Sequence, residues 1–107
     1  MYNQMREAVR VVMKLQDDPS LSLENVVRRV SEEGQIPFED LMGRSRRREI
    51  APLRQAVYYL YSTKFDRCYA GIGRIMRRDH TTIINGVKKI KRELEKYTAE
   101  LVQVDPR

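Results

Sequence analysis

Asp79-His80-Thr81-Thr82 is the stretch of this sequence with the side chains best suited to chemistry at a polar surface. The Asp79 carboxylate can accept hydrogen bonds from the orphan N–H groups of a first helical turn, which makes it a natural N-cap. His80, Thr81 and Thr82 then stand at the exposed start of the helix. Short side chains that donate and accept, held at a helix N-terminus, suit base edges in a DNA major groove. A carboxylate accepts from a cytosine amino group, and a threonine methyl meets a thymine methyl. Downstream, Ile83, Val87, Ile90, Leu94, Tyr97 and Leu101 fall on one stripe. That stripe predicts a long amphipathic helix from about His80 to Val102 or Gln103. Tyr69 to Met76 reads as a short helix with Ile72, Ile75 and Met76 inward, and Arg77-Arg78 as a turn. The order is that of a helix-turn-helix with its reading helix starting near Asp79. Gly71 and Gly73 are poor helix formers, so their presence in the short helix predicts close approach of another backbone.

The remaining elements must hold this pair in place. A first helix is expected from about Tyr2 to Gln16, with Met5, Val9, Val12 and Met13 as its apolar face, broken by Asp17-Asp18-Pro19-Ser20. A second helix is expected after Ser22 as N-cap, with Leu23, Val26, Val27 and Val30 inward and Gly34 as its stop. Pro37 to Met42 reads as a short helical turn ended by Gly43. A third long helix is expected from about Glu49 to Thr63, with Ile50, Leu53, Val57, Leu60 and Tyr61 inward. Pro52 fits its first turn, where no backbone N–H is needed. No segment alternates as a strand does, so the fold class is all-α: a compact helical domain with a helix-turn-helix and a long C-terminal recognition helix. Residues 1–17 are expected to be an N-terminal helix or linker-like segment, and residues 18–107 the DNA-binding domain.

Charge is concentrated. The chain has 107 residues and a net charge of +6. Residues 44–92 hold 14 basic and 3 acidic residues, a net of +11, whereas residues 1–43 hold 5 and 8, a net of −3. A localised excess of this kind points to a polyanionic partner. The single cysteine, Cys68, allows no intrachain disulfide and is expected as a buried or half-buried thiol. One histidine and one cysteine form no zinc-ligand set, and no metal or cofactor is expected. There is no apolar run of membrane-spanning length and no signal-peptide block, so the expected location is the cytoplasm. Signatures of an enzyme are missing: there is no phosphate-binding loop, and no Ser or Cys pairs with His80 for nucleophilic catalysis.

Other features have two readings. The run Arg44-Ser45-Arg46-Arg47-Arg48 could be a solvated loop or a lipid-binding patch. Its position one helix ahead of the helix-turn-helix favours DNA, since arginine in such a loop can enter a narrow minor groove. Tyr58, Tyr59, Tyr61 and Tyr69 lie among basic residues and could stack on single strands. For Tyr58 and Tyr61 we prefer packing in the core.

Residues from about Leu21 to Arg92 resemble the C-terminal DNA-binding domain of the bacterial replication initiator DnaA. The resemblance is carried by Leu21-Ser22-Leu23-Glu24-Asn25-Val26, Asp40-Leu41, Arg54-Gln55, Ile72-Gly73, and above all by Arg78-Asp79-His80-Thr81-Thr82 with Lys89-Ile90 downstream. It implies double-stranded DNA as partner, bound at an asymmetric site of the DnaA-box type. Asp79, His80, Thr81 and Thr82 would then read bases in the major groove, and Arg46 would enter the minor groove. Arg44, Arg47, Arg48, Arg54, Gln55, Arg77, Arg78 and Lys88 would be backbone or accessory contacts. Tyr69-Ala70, also expected as accessory contacts, replaces a Leu-Pro pair that touches bases in the family, and Arg77-Arg78 after Met76 makes a turn one residue shorter than the family's Gly-Gly-Arg. The role implied is replication control or transcriptional regulation without ATP hydrolysis, with other replication or regulatory proteins as further partners. A monomer is expected, with residues 1–17 as the alternative site of dimerisation. The rival readings are a protein-interaction adaptor that keeps the fold without reading DNA, and membrane-surface binding through the first helix and the basic loop.

Overall fold

The computed structural model describes residues 4–43 and 50–103, and every regular element among them is a helix. In chain order these are α1 (Gln4–Gln16), α2 (Val26–Gly34), α3 (Phe38–Met42), α4 (Ile50–Thr63), α5 (Tyr69–Met76) and α6 (His80–Gln103). The all-α expectation is met.

α4 is the central rod. Ile50, Leu53, Val57, Leu60 and Tyr61 are buried as their spacing predicts, and Pro52, Ala56 and Tyr58 are buried as well. A helix buried on most of its circumference must be packed from several sides, and α1, α2, α3, α5 and α6 all lie against it. Tyr58 and Tyr61 are therefore core residues.

α1 is part of the same core. Ala8, Val9, Val11, Val12 and Leu15 are buried, at helical spacing along one face. Met13 was expected inward and is 41% exposed. The true stripe is centred on Ala8, Val11, Val12 and Leu15, and Met13 falls outside its arc. The Lys64 ammonium closes the end of α1, donating to the carbonyls of Gln16 at 2.7 Å and Asp18 at 3.2 Å. Arg10 and Lys14 face Glu33 of α2, with Lys14 Nζ at 3.1 Å.

α2 begins three residues later than Ser22 predicts. The Asn25 side chain accepts from the Ser22 N–H at 2.8 Å and donates to the Ser20 carbonyl at 3.1 Å, which holds residues 22–25 as a turn. Asp18 steadies the preceding corner, accepting from the Ser20 N–H and hydroxyl and from Arg29. Those bonds hold its carboxyl well below the usual range, the Ser20 hydroxyl most of all. At the other end α2 stops at Gly34, as expected, and a Cβ there would stand 2.7 Å from Leu53 Cδ1. Gln35 takes the left-handed C-cap in its place, at φ 57°.

Candidate nucleic-acid interface

α5 starts at Tyr69, with Cys68 as N-cap in extended backbone. The Cys68 sulfur accepts from the Gly71 N–H at 3.4 Å, and the residue is exposed rather than buried or half-buried as expected. Ile72 and Met76 seat α5 on the core, while Ile75, expected inward, is 41% exposed. Ile75 lies on the side of α5 away from Gly73, so the short helix buries a narrower arc than three apolar residues suggest.

The turn that follows depends on Gly73. A Cβ at this position would lie 2.6 Å from the Arg78 carbonyl oxygen and 3.7 Å from the His80 nitrogen. The close approach expected of the α5 glycines is therefore real at Gly73. A Cβ at Gly71 would meet only side-chain ends at ordinary distances, the Cys68 sulfur at 3.4 Å and Arg74 Nη2 at 3.9 Å. The Gly73 carbonyl accepts from the Arg78 N–H at 2.8 Å, and the chain reverses through Arg77 in the left-handed region at φ 57°, ψ 48°. A side chain in that region costs about 1–2 kcal/mol relative to ordinary backbone, whereas glycine enters it freely. Arg77→Gly is thus expected to raise stability by about 0.5–1 kcal/mol, offset in part by the entropy of glycine in the unfolded chain. A chemical-denaturation series on the purified variant measures this, and a midpoint below that of the parent would contradict it.

α6 then opens as its sequence predicts. Asp79 Oδ2 accepts from the Thr81 N–H at 3.1 Å, and the Asp79 carbonyl accepts from the Ile83 N–H at 3.3 Å. The second carboxylate oxygen lies 3.9 Å from His80 Nδ1. His80, Thr81 and Thr82 are exposed, while Ile83, Gly86, Val87 and Ile90 face the core. Gly86 brings α6 tightly onto α4, since a Cβ there would meet Tyr58 Cδ2 at 2.8 Å and Gln55 Cγ at 3.0 Å. Lys88, two turns after Thr81 and on the same side of α6, is exposed, as are Arg74, Arg77, Lys89, Lys91 and Arg92. Tyr69 and Ala70 are exposed at the start of α5. The arrangement presents a capped helix end with polar tips, flanked by cations.

Three residues expected as backbone or accessory contacts, Arg54, Gln55 and Arg78, are buried or half-buried. Arg54 is only 9% exposed. Its Nε donates to the Leu41 carbonyl at 3.0 Å, and its Nη2 donates to the carbonyls of Asp40 at 2.6 Å and Gly43 at 2.8 Å. It caps the end of α3 from inside the fold, and burial followed by the neighbouring Arg78 charge lowers its pKa from the ordinary arginine value. A signal for this was present: Arg54 stands four residues after Ile50 and three before Val57, on the inward stripe of α4. Gln55 is half-buried beneath Gly86, with its Oε1 buried and without a hydrogen-bond partner. Arg78 is half-buried in the turn and donates to the carbonyls of Met76, Arg77 and Gly43. Arg44, Arg46, Arg47 and Arg48 lie outside the described residues.

Comparison with known proteins agrees with this geometry. The pattern that defines the bacterial DnaA protein helix-turn-helix matches residues 23–90. Among curated proteins, the chromosomal replication initiator protein DnaA of Cereibacter sphaeroides is 40% identical over 75 residues, covering 69% of this chain and 16% of the relative. Its namesake in Desulfotalea psychrophila is 38% identical over 88 residues, covering 82% of this chain and 18% of the relative. That of Mycoplasma pneumoniae is 30% identical over 79 residues, covering 74% and 17%. The chain thus spans less than a fifth of the length of these relatives. No solved structure gives a significant match. With the matched stretch running from the start of α2 through the buried half of α6, the chain belongs to the bacterial DnaA helix-turn-helix family of DNA-binding domains.

Proposed function

We propose that this domain binds double-stranded DNA sequence-specifically, at an asymmetric site of the DnaA-box type, in replication initiation or its control. The observation that carries the reading is the exposed, capped N-terminus of α6. Asp79, His80, Thr81 and Thr82 present carboxylate, imidazole and hydroxyl groups there, next to the turn. Those four residues would choose the site by contacts to base edges, and phosphates would supply most of the affinity. Arg46 would enter the adjoining minor groove. Arg44, Arg47, Arg48, Arg77 and Lys88 would meet phosphates, with Tyr69 and Ala70 against the groove wall. Gln55 would act by supporting α6 rather than by touching DNA. A transcriptional role would use the same contacts. The domain would act as a monomer on the nucleoid, because the apolar face of α1 is already occupied by its own core.

His80→Ala tests the reading of bases. The variant is expected to lose about 1–3 kcal/mol at the preferred site and little on random duplex. Equal weakening on both would remove His80 from base reading. Salt tests the phosphate share. If about five side chains each neutralise one phosphate, the slope of log affinity against log salt is expected to be roughly −4 to −5. A nearly flat dependence would favour the adaptor reading.

A further inference from the structure

From His80 to Arg92, α6 contains no aspartate or glutamate and carries four cations, Lys88, Lys89, Lys91 and Arg92. All four are exposed, while Ile83, Val87 and Ile90 of the same helix are buried. Among the described residues, no carboxylate lies within ion-pairing distance of any of the four. Glu95, three residues after Arg92 and four after Lys91, pairs with neither. Cations on the other side of the fold are placed differently. Arg10 and Lys14 of α1 lie against Glu7 and Glu33, and Arg29 of α2 lies against Asp18. Helix stability does not account for the row on α6. Lys88 stands three residues before Lys91 and four before Arg92, spacings at which like charges repel and weaken a helix. The pull of the helix dipole on cations is confined to the last turn, and the last turn of α6 holds no basic residue. A like-charged row kept against the interest of its own helix suits a polyanion.

Reach separates this row from the start of α6. The major groove is about 8.5 Å deep and a helix rises about 1.5 Å per residue, so a helix whose first residues meet base edges end-first has only about six residues inside the groove. Lys88 then stands near the lip, beside the phosphates. Lys91 and Arg92 stand about 8–10 Å outside it. We propose that Lys91 and Arg92, with Lys89 beside them, form a second, sequence-independent nucleic-acid surface, so that one domain holds a second duplex alongside the one read by the α6 N-terminus. The inference rests on the DNA-reading function proposed above and extends it from one duplex to two. The occupant follows from charge. No carboxylate interrupts the row, and its one apolar member, Ile90, is buried, so it offers no apolar centre to a protein partner. A duplex, by contrast, presents about one negative charge per 1.7 Å of its axis.

The test uses a bead-bound duplex carrying the preferred site and a free labelled duplex of random sequence. Each is about 20 base pairs long, far below the persistence length of about 150 base pairs, and so cannot fold back onto both surfaces. At about 50 mM salt, where non-specific contacts are strong, the parent chain is expected to capture the labelled duplex. Sedimentation is expected to show one chain with two duplexes. Lys91→Gln with Arg92→Gln removes both charges and keeps good helix formers. This double variant is expected to lose about tenfold or more in capture. On the preferred duplex alone it should keep the affinity and salt slope of the parent. The charge-keeping pair Lys91→Arg with Arg92→Lys should capture as the parent does. A loss of about two units of salt slope by the charge-removing variant on the single preferred duplex would overturn the proposal, because both residues would then be phosphate ligands of the first site. So would capture that survives in that variant, capture lost in the charge-keeping one, or complexes of two chains with two duplexes. A parent chain that captures no second duplex would overturn it as well, and binding of phosphatidylglycerol vesicles through the same two residues would then give the row to a membrane. If the parent preferred no sequence, site-specific reading would fail, and capture between two random duplexes would still decide the second surface.

Discussion

A chain that begins at Asp17 is expected to lose cooperative folding. Removing α1 takes Val11, Val12 and Leu15 from the core, together with Ala8, and all four are fully buried. Full burial of a Val or Leu side chain contributes about 1.5–3 kcal/mol, so the loss is roughly 5–9 kcal/mol as an upper estimate. The entire stability of a small domain is about 5–15 kcal/mol. Lys64 would also be left with no Gln16 carbonyl to close. The expected result is a broad, non-cooperative melt by circular dichroism, with apolar surface of α4 exposed. A truncated chain that melted sharply within a few degrees of the parent would show that α1 is an appendage. A dimer that became a folded monomer on truncation would make α1 an interface.

Gly73→Ala is expected to be the most damaging single substitution at the site. The added Cβ would lie 2.6 Å from the Arg78 carbonyl, which is backbone and cannot rotate away. Separating them breaks or stretches the 2.8 Å bond from the Arg78 N–H to the Gly73 carbonyl. Overpacking of this sort costs about 1–3 kcal/mol and the lost hydrogen bond about 1 more. The better helix propensity of alanine returns up to ~1 kcal/mol. The net loss is about 2–3 kcal/mol, or roughly 10–20 °C in melting temperature for a domain of this size. Gly71→Ala is the matched control. Its Cβ would meet the sulfur of Cys68 at 3.4 Å and Arg74 Nη2 at 3.9 Å, both ordinary contacts, so stability should be unchanged or slightly raised. Equal melting of Gly73→Ala and the parent would contradict the account of the turn.

Much of this architecture was legible in the sequence, and the reasons differ by element. α5 and α6 have the expected bounds because each is announced by a strong local signal: turn residues before one, and the Asp79 cap with its long stripe for the other. The start of α2 was misplaced because Ser22 and Asn25 are both plausible caps. The choice between them is made by side-chain bonds within the turn, which spacing does not encode. The stop at Gly34 was legible, but Gln35 rather than the glycine takes the left-handed conformation, while the missing side chain of Gly34 leaves room for Leu53. The inward placement of Met13 and Ile75 failed. An apolar residue at the edge of a helical stripe is buried only if a neighbouring element reaches it, and this is decided by tertiary contacts. Arg54 and Arg78 were the least legible. A basic residue in a basic segment reads as a DNA contact until its carbonyl partners, 11 to 35 residues away in sequence, are seen.

The central claim is that the α6 N-terminus chooses a DNA sequence. The most direct measurement is selection of duplexes from a randomised pool by the purified chain, near physiological salt, with the His80→Ala variant in parallel. The account predicts enrichment of one asymmetric motif by the parent chain and its loss in the variant, while both retain weak binding to the unselected pool. Enrichment of no motif by the parent, or of the same motif to the same extent by the variant, would contradict it.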